Sequence, residues 1–472
     1  MKSLLPIFLI LLILVSCGSG TVENNNTQQE TETTETTELN YYKNIPTDLN
    51  YDGYTFTFFT YDAASWDTFV DKDEMTGDVL NDAAYMRNSE VAGLLNIEFA
   101  TVKRPEANLV NAVITNNTAG DNTYDLILFW AVTNVSNLIV QNQVYDWKTI
   151  PYVNLDEPWY NHTASDTLTV NGKQYFGVSD ISYTIQQQVR FLFNKELFDD
   201  LNLEYPYQLV YDGKWTLDKV FNYIKDVYSD VNGDGKRDKD DRYGMDLNAY
   251  FLAYTFAHWG EYPIGLDANG FTLNIFNNRI SDMMDKLVEL SKSNDVAFGF
   301  TPQYSVFNAG NALFEGYASD PAILRDIEFE FGYIPYPKWN EAQPDYITWT
   351  LGGLMGVPII KTSDEMVRTG IIIEALSAAS NKYIVDAFVE KFIEGKVLRD
   401  EDSVNMYRLM RRTATYERAR IFDTTNLLSG LAYYTDCITK SGTVNLASQY
   451  AANGSKIEEA LKNMYESILE NQ

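Results

Sequence analysis

Apolar residues recur at two different spacings along this chain. YTFTFFT, from Tyr54 to Thr60, is an aromatic and β-branched run that suits a buried strand. GDVLNDAAYMRNSEVAGLL follows, with Leu80, Ala83, Ala84, Val91, Leu94 and Leu95 on one helical stripe. The pattern then alternates: a strand in NIEFATV, a helix in EANLVNAVITNN and a strand in YDLILFW. A βαβαβ order predicts a mainly parallel sheet covered by helices. Further on, WTLDKVFNYIKDVY sets Leu217, Val220, Phe221, Ile224, Val227 and Tyr228 at helical spacing, with Thr216 available as N-cap. The last third is largely helical. SDEMVRTGIIIEALSAAS is apolar nearly all round and should be buried, whereas SKIEEALKNMYESIL opens on a capping box of Ser455 and Glu458 and buries Leu461, Met464 and Ile468.

The first residues follow neither pattern. One lysine precedes an apolar run from Leu4 to Val15, too short to span a bilayer but fitting the core of a secretory signal. LVSC, Leu14 to Cys17, resembles the bacterial lipobox, which predicts a signal peptide over 1–16 and an acylated Cys17; a plain signal peptide containing a cysteine is the alternative. Residues 17–43 then form a tether rich in Thr, Glu, Asn and Gln, a composition that cannot offset its own ordering entropy. As a flexible coil of about twenty residues it reaches on the order of 25 Å.

A chain of 472 residues with 45% hydrophobic content implies two or three globular domains. Its formal net charge of −30 repels phosphate backbones, which argues against nucleic-acid binding. Cys17 and Cys437 are the two cysteines, so a lipidated Cys17 leaves no intrachain disulfide, and Cys437 reads as a small buried hydrophobe.

DVNGDGKRDKDD concentrates acidic side chains between Asp230 and Asp241. Asp230, Asn232, Asp234, the carbonyl of Lys236, Asp238 and Asp241 stand at positions 1, 3, 5, 7, 9 and 12, with Gly235 at position 6. This is the oxygen-ligand schedule of an EF-hand calcium loop, with Asp241 replacing the long Glu usual at position 12. A structural ion, clipping the preceding helix to RYGMDL, is favoured over a regulatory one because the loop is single and no clear second helix follows; a solvated acidic turn is the blander reading.

Other chemistry is sparse. His162 and His258 stand apart without a zinc or iron pattern, and no nucleophile elbow, phosphate loop or dinucleotide glycine pattern occurs. With 66 acidic residues, a pair of glycosidase carboxylates is not excluded, though nothing selects one. Tyrosine (33) and tryptophan (8) are prominent, and such rings pair a flat apolar face with a hydrogen-bonding edge that suits sugars. Trp147, Trp215 and Trp339 read as structural.

YDLILFWA, VNGKQYFGVSDIS with RFLFNKELFDDLNLEYP, WTLDKVFNYIKDVYSDVNGDGKRDKDDRYG, FNAGNALFEGYASDP and FEFGYIPYPKW together resemble the extracellular solute-binding proteins of carbohydrate importers, the family of the maltose-binding protein. The resemblance implies a two-lobed α/β periplasmic-binding-protein fold with a hinge and an interlobe ligand cleft. It divides the chain into lobe 1, residues 44–180 plus 338–398, and lobe 2, residues 181–337 plus 399–472. It implies an oligosaccharide ligand, the membrane permease subunits of an ABC importer as partner, and no catalysis; together with the acidic loop and the lipobox-like LVSC, the expectation is a lipid-anchored monomer on the outer face of the cell membrane with calcium as a structural cofactor. Carried over by position, it assigns ligand contacts to Tyr61, Asp62, Trp130, Asp180, Tyr250, Trp259, Tyr317, Asp320 and Tyr434. GYASDP departs from the family's loop, whose tryptophan it lacks, and Asp62 and Asp180 equally suit helix caps or turns. The alternatives are a binding protein for a non-sugar solute such as a peptide, an anchored carbohydrate-active enzyme, and a dockerin-like assembly module, which would use two calcium loops.

Overall fold

The computed structural model describes residues 39–62, 70–129, 135–181, 188–248, 255–300, 304–318, 324, 327–350, 353–359, 362–398, 400–425, 427–428 and 446–471. Residues 41–472 form one compact unit. Within it two sheets organise two lobes.

The first sheet holds β1 (Tyr54–Tyr61), β2 (Ile97–Arg104) and β3 (Leu126–Phe129). β1 pairs in parallel with both others, as the alternating pattern predicts. YTFTFFT alternates apolar and polar as far as Phe58, where one face is partly open, and both faces are covered from Phe58 to Tyr61. Phe56 and Phe58 pack with Leu126, Leu128 and the helix Ser363–Ser380, while Phe59 and Tyr61 pack with Ile127 and Phe129 on the other side. The helix α1 (Val79–Leu95) starts where the Asp78 carboxylate accepts from the amides of Leu80 and Asn81, and stops at Asn96, whose φ of 50° leaves the helical region. Leu94, predicted for its buried stripe, is instead 41% exposed. The buried face includes Arg87, whose guanidinium donates to the Asn88 amide oxygen and to the Ser380 hydroxyl. The helix α2 (Glu106–Ala119) follows β2.

The second sheet is built from β4 (Arg190–Asn194), β5 (Tyr243–Leu247) and later strands. A hairpin, β6 (Ile264–Asp267) and β7 (Gly270–Leu273), stands apart. Then come β8 (Val296–Phe298), β9 (Ala312–Ala318) and β10 (Phe331–Ile334), giving the order β10-β4-β9-β5-β8. β5 is parallel to β8 and β9; β4 is antiparallel to β9 and β10. The helix predicted from Leu217 ends at Ile224, leaving Val227 and Tyr228 beyond it, and Thr216 holds the N-cap position without a side-chain hydrogen bond.

β11 (Thr348–Trp349) leads back to β12 (Leu354–Gly356), which adds antiparallel to β3 and completes the first sheet as β12-β3-β1-β2. β13 (Ala414–Thr415) pairs in parallel with β11, and Gln188 bridges Thr350 on the other side. Three extended passages therefore lie side by side between the sheets. The helix Ser363–Ser380 carries a capping box of Thr362 and Glu365 and runs on into π-helical turns over Asn381–Val385 and Ala387–Val397. The final helix runs from Leu446 to Glu470, so Ser455 lies inside it rather than capping it, and Glu458 accepts from the Tyr450 hydroxyl instead. Leu461, Met464 and Ile468 are buried as predicted.

Gly370 sits mid-helix, where a Cβ would stand 1.9 Å from the Pro151 carbonyl oxygen and 3.0 Å from Ile150 Cγ2. Alanine normally favours a helix interior over glycine by about 1 kcal/mol. Here Gly370→Ala is expected to destabilise by roughly 1–3 kcal/mol, since backbone must move to admit it. Urea unfolding checks this, and a stabilised variant would contradict the close approach.

Candidate ligand cleft and calcium loop

In an open α/β sheet, ligands sit outside the carboxyl ends of strands where the strand order reverses. β1 lies between its two parallel partners, and so does β5 in the second sheet, so each sheet has such a point. Asp62 directly follows β1, is exposed, and donates its backbone N–H to the Arg104 carbonyl at 2.6 Å, leaving its carboxylate at this edge. Trp130 directly follows β3 in the chain but, with Tyr250, Asp320 and Tyr434, lies outside the described residues, as does the side chain of Tyr317. Asn248 follows β5 and donates to the Gly316 carbonyl at 3.2 Å.

Two expected contacts are core residues. Trp259 is fully buried, donates its indole N–H to the Pro337 carbonyl at 3.2 Å, and packs against Phe256 and Trp339 at 5.9 and 5.0 Å. Its face and edge are thus already used. Tyr61 is only 7% exposed, inside the cluster of Phe59, Ile127 and Phe129. Trp147 and Trp215 are structural as expected, both fully buried.

Asp180 opens onto a cavity of about 790 Å³ at the crossings, lined also by Gln188, Thr350, Asn381, Arg411 and Arg412. Its carboxylate accepts from Asn381 Nδ2 at 2.7 Å and faces Arg411 Nη2 at 3.4 Å. Burial holds this carboxyl above the usual range, against the lowering pull of Arg411 and Asn381. Gln188 is 2% exposed, and its Oε1 is sealed from solvent without a hydrogen-bond partner among the described residues. Tyr160 lines the wall but donates its hydroxyl to Glu374 at 2.7 Å, away from any guest. Sequence reading missed Gln188, Asn381 and the arginines. A signal existed: Arg408, Arg411 and Arg412 fall at i, i+3 and i+4 of one helix, Glu401–Arg412, in a chain of net charge −30.

The acidic loop closes on two hydrogen bonds between Ser229 and Arg242, at 3.1 and 3.0 Å. Gly233 and Gly235 take φ of 73° and 74°, the left-handed conformations such a loop demands. Asp230 accepts from the amides of Gly233 and Gly235, and Asp234 from that of Lys236. Asp241 is fully buried: Oδ2 accepts from the Tyr228 hydroxyl at 3.0 Å and the Asp238 amide at 3.2 Å, while Oδ1 is buried without a partner. Among the described residues, no three His, Cys, Asp or Glu side chains converge around one point. The oxygen-only donor set and the orphaned Asp241 oxygen nonetheless fit a hard cation.

No protein-family model matches the chain, and no curated protein sequence does. Solved structures do match. The GacH receptor of Streptomyces glaucescens, described unliganded and with acarbose, shares 13% identity at a TM-score of 0.55, over 87% of this chain and 99% of that one. UgpB from Mycobacterium tuberculosis, in complex with glycerophosphocholine, shares 13% at 0.54, over 87% and 98%. The maltose/maltodextrin-binding domain MalE of Bdellovibrio bacteriovorus, bound to maltotriose, shares 13% at 0.51, over 88% and 99%. The chain thus has the two-lobed α/β fold of these solved structures, which include a receptor and a maltose/maltodextrin-binding domain.

Two buried groups beside the crossings set a pH signature. Burial pushes Glu417, two residues after β13, up to about 7, while Arg420 pulls it down. Burial pushes His258 down to about 3, opposed by its hydrogen bond to the Ile347 carbonyl. The Glu417 contribution to stability is full below its ordinary 4.5 and is lost as pH rises through about 7, at roughly 1.4 kcal/mol per pH unit between. His258 acts oppositely, its contribution being lost as pH falls from 6.5 toward 3. The wild type therefore masks both. Glu417→Gln is expected to gain stability over the wild type progressively from about pH 5 to pH 7 in urea titrations; a pH-independent difference would mean the carboxyl is ionised in the fold.

Proposed function

We propose that this chain binds an oligosaccharide between its lobes and delivers it, unaltered, to the permease of an ABC importer. The observation that carries the reading is the paired strand-order reversals, one in each sheet, joined by three extended passages. That architecture provides facing ligand edges and a bend between them. Sugar-bound neighbours of the same fold support the ligand class. A bound guest touching both edges favours the closed arrangement by its differential contacts. The neighbour bound to glycerophosphocholine supports a second reading, a non-sugar solute with hydroxyls, at the same cleft.

The extracytoplasmic address is part of the proposal. Among the described residues no helix is long and apolar enough to cross a membrane. LVSC would instead supply acylation at Cys17, with residues 17–43 as the tether. The lobe limits at 180/181, 337/338 and 398/399 belong to the same reading.

Calcium would be held by Asp230, Asn232, Asp234, the Lys236 carbonyl, Asp238 and Asp241, and would supply charge neutralisation within the loop. Because the loop feeds directly into β5, its role is to fix that strand's entry rather than to touch the guest.

Titration calorimetry of the purified chain against mono- and oligosaccharides is expected to show saturable binding to at least one; silence across the panel would remove the sugar reading. Separately, a chelator should lower the melting temperature, by on the order of 1 °C per kcal/mol of ion stabilisation for a unit of this size. Calcium should restore it, and saccharide preference should be unchanged. Asp241→Asn should shrink that shift, whereas an unmoved melting temperature in chelator would mean the loop holds no ion.

A further inference from the structure

We propose that the cavity at the crossings receives an anionic group of the guest, so that the delivered saccharide carries a carboxylate or another oxyanion beside its hydroxyls. This rests on the saccharide reading above and narrows it.

The cavity, at about 790 Å³, is within the range of sites that enclose small ligands. Its walls come from both sheets' surroundings: Asp180 ends the passage leaving the first sheet, Gln188 lies two residues before β4, and Arg411 and Arg412 end the helix before β13. Local charge there runs against the molecule as a whole. The chain carries −30, yet three arginines and two aspartates line this cavity. Both aspartates are already engaged. Asp180 accepts from Asn381 and faces Arg411, and Asp386 pairs with Lys391 at 3.3 Å.

Arg411 and Arg412 are less committed. Arg411 reaches Asp180 through one nitrogen at 3.4 Å, a long contact for a fork able to bind an oxyanion through two parallel bonds. Arg412 is exposed and has no hydrogen bond or ion pair among the described residues. An anion entering here meets donors on one wall. Gln188 lines the same cavity as a neutral amide beside these cations. A neutral sugar leaves Arg412 unused, whereas a saccharide carrying an oxyanion engages it.

The test is calorimetric titration of the full chain with neutral and uronate oligosaccharides matched in length, and with inorganic phosphate. The expected result is at least about tenfold tighter binding of the uronate than its neutral counterpart, the advantage shrinking with added salt. Arg412→Gln, an exposed change, should remove most of that advantage by weakening uronate binding more than neutral binding. Arg411→Gln should act likewise; because it also strips Asp180 of its cation, its melting temperature is measured alongside. Equal binding of neutral and uronate guests overturns the inference and leaves the saccharide reading standing, as does an advantage untouched by Arg412→Gln. Phosphate binding as tightly as the uronate overturns the inference that the anion arrives on a saccharide. If no saccharide of either kind binds, the saccharide reading itself falls.

Discussion

Everything else in this molecule is arranged around a short ladder of backbone hydrogen bonds between its crossing segments. Val189 donates to Trp349, Thr348 to Thr413 and Thr350 to Thr415, each at 3.0 Å. These three passages are extended places where the chain leaves one sheet for the other, and an extended segment whose amides are already paired with its neighbours can bend but cannot slip. Register between the sheets is therefore inherited from the ladder. The cavity exists because the same ladder turns Gln188 and Thr350 toward one side, while Val189 and Trp349 pack into the second lobe's core on the other.

Much of this was legible from residues alone, for a definable reason. Where burial is two-sided or helical, apolar spacing carries the information, so β1, α1, β2, α2 and β3 emerge in order and with the right partners. Boundaries went astray where a local signal competed with packing. Ser455 and Glu458 have the form of a capping box, yet Leu446 and Ile457 already dock on the second core, so the helix starts earlier and carries Gly454 in its interior. Leu94 matches a stripe by spacing but lies just off the covered arc.

The site was less legible because it is composed by strand order and by pairs distant in the chain. Asp180 could be singled out, but its partners Asn381 and Arg411 are 201 and 231 residues away. Trp259 shows the opposite failure. An aromatic residue near a strand end has the composition of a sugar platform, and only its zero exposure reveals that the Pro337 carbonyl and Trp339 have already claimed it. Composition reports which side chains could stack on a guest, whereas access is a property of the folded surface.

A second set of contacts limits how the ladder can bend. The leading half of α1 places Leu80, Ala83 and Ala84 in the cluster of Tyr333 and Tyr407, which belongs to the second sheet, while Val91 and Leu95 pack on the first. The helix starting at Ser363 behaves alike, contributing Ile371–Ile373 to one cluster and Phe388 and Ile393 to the other across its π-helical turns. A pure rotation about the extended passages would draw these side chains out of contact, losing roughly 25 cal/mol for every Å² of apolar surface exposed. Bending that keeps the surface buried must combine rotation with sliding along the helix face. Ala83 and Ala84 are small enough to permit such sliding, and π-helical turns, with their looser hydrogen bonding, are where a helix most readily changes its path. Asp180, tied to Asn381 at the first of those turns, couples the helical connection to the extended ones. Any rearrangement of the lobes must therefore move the extended passages and this helical connection together.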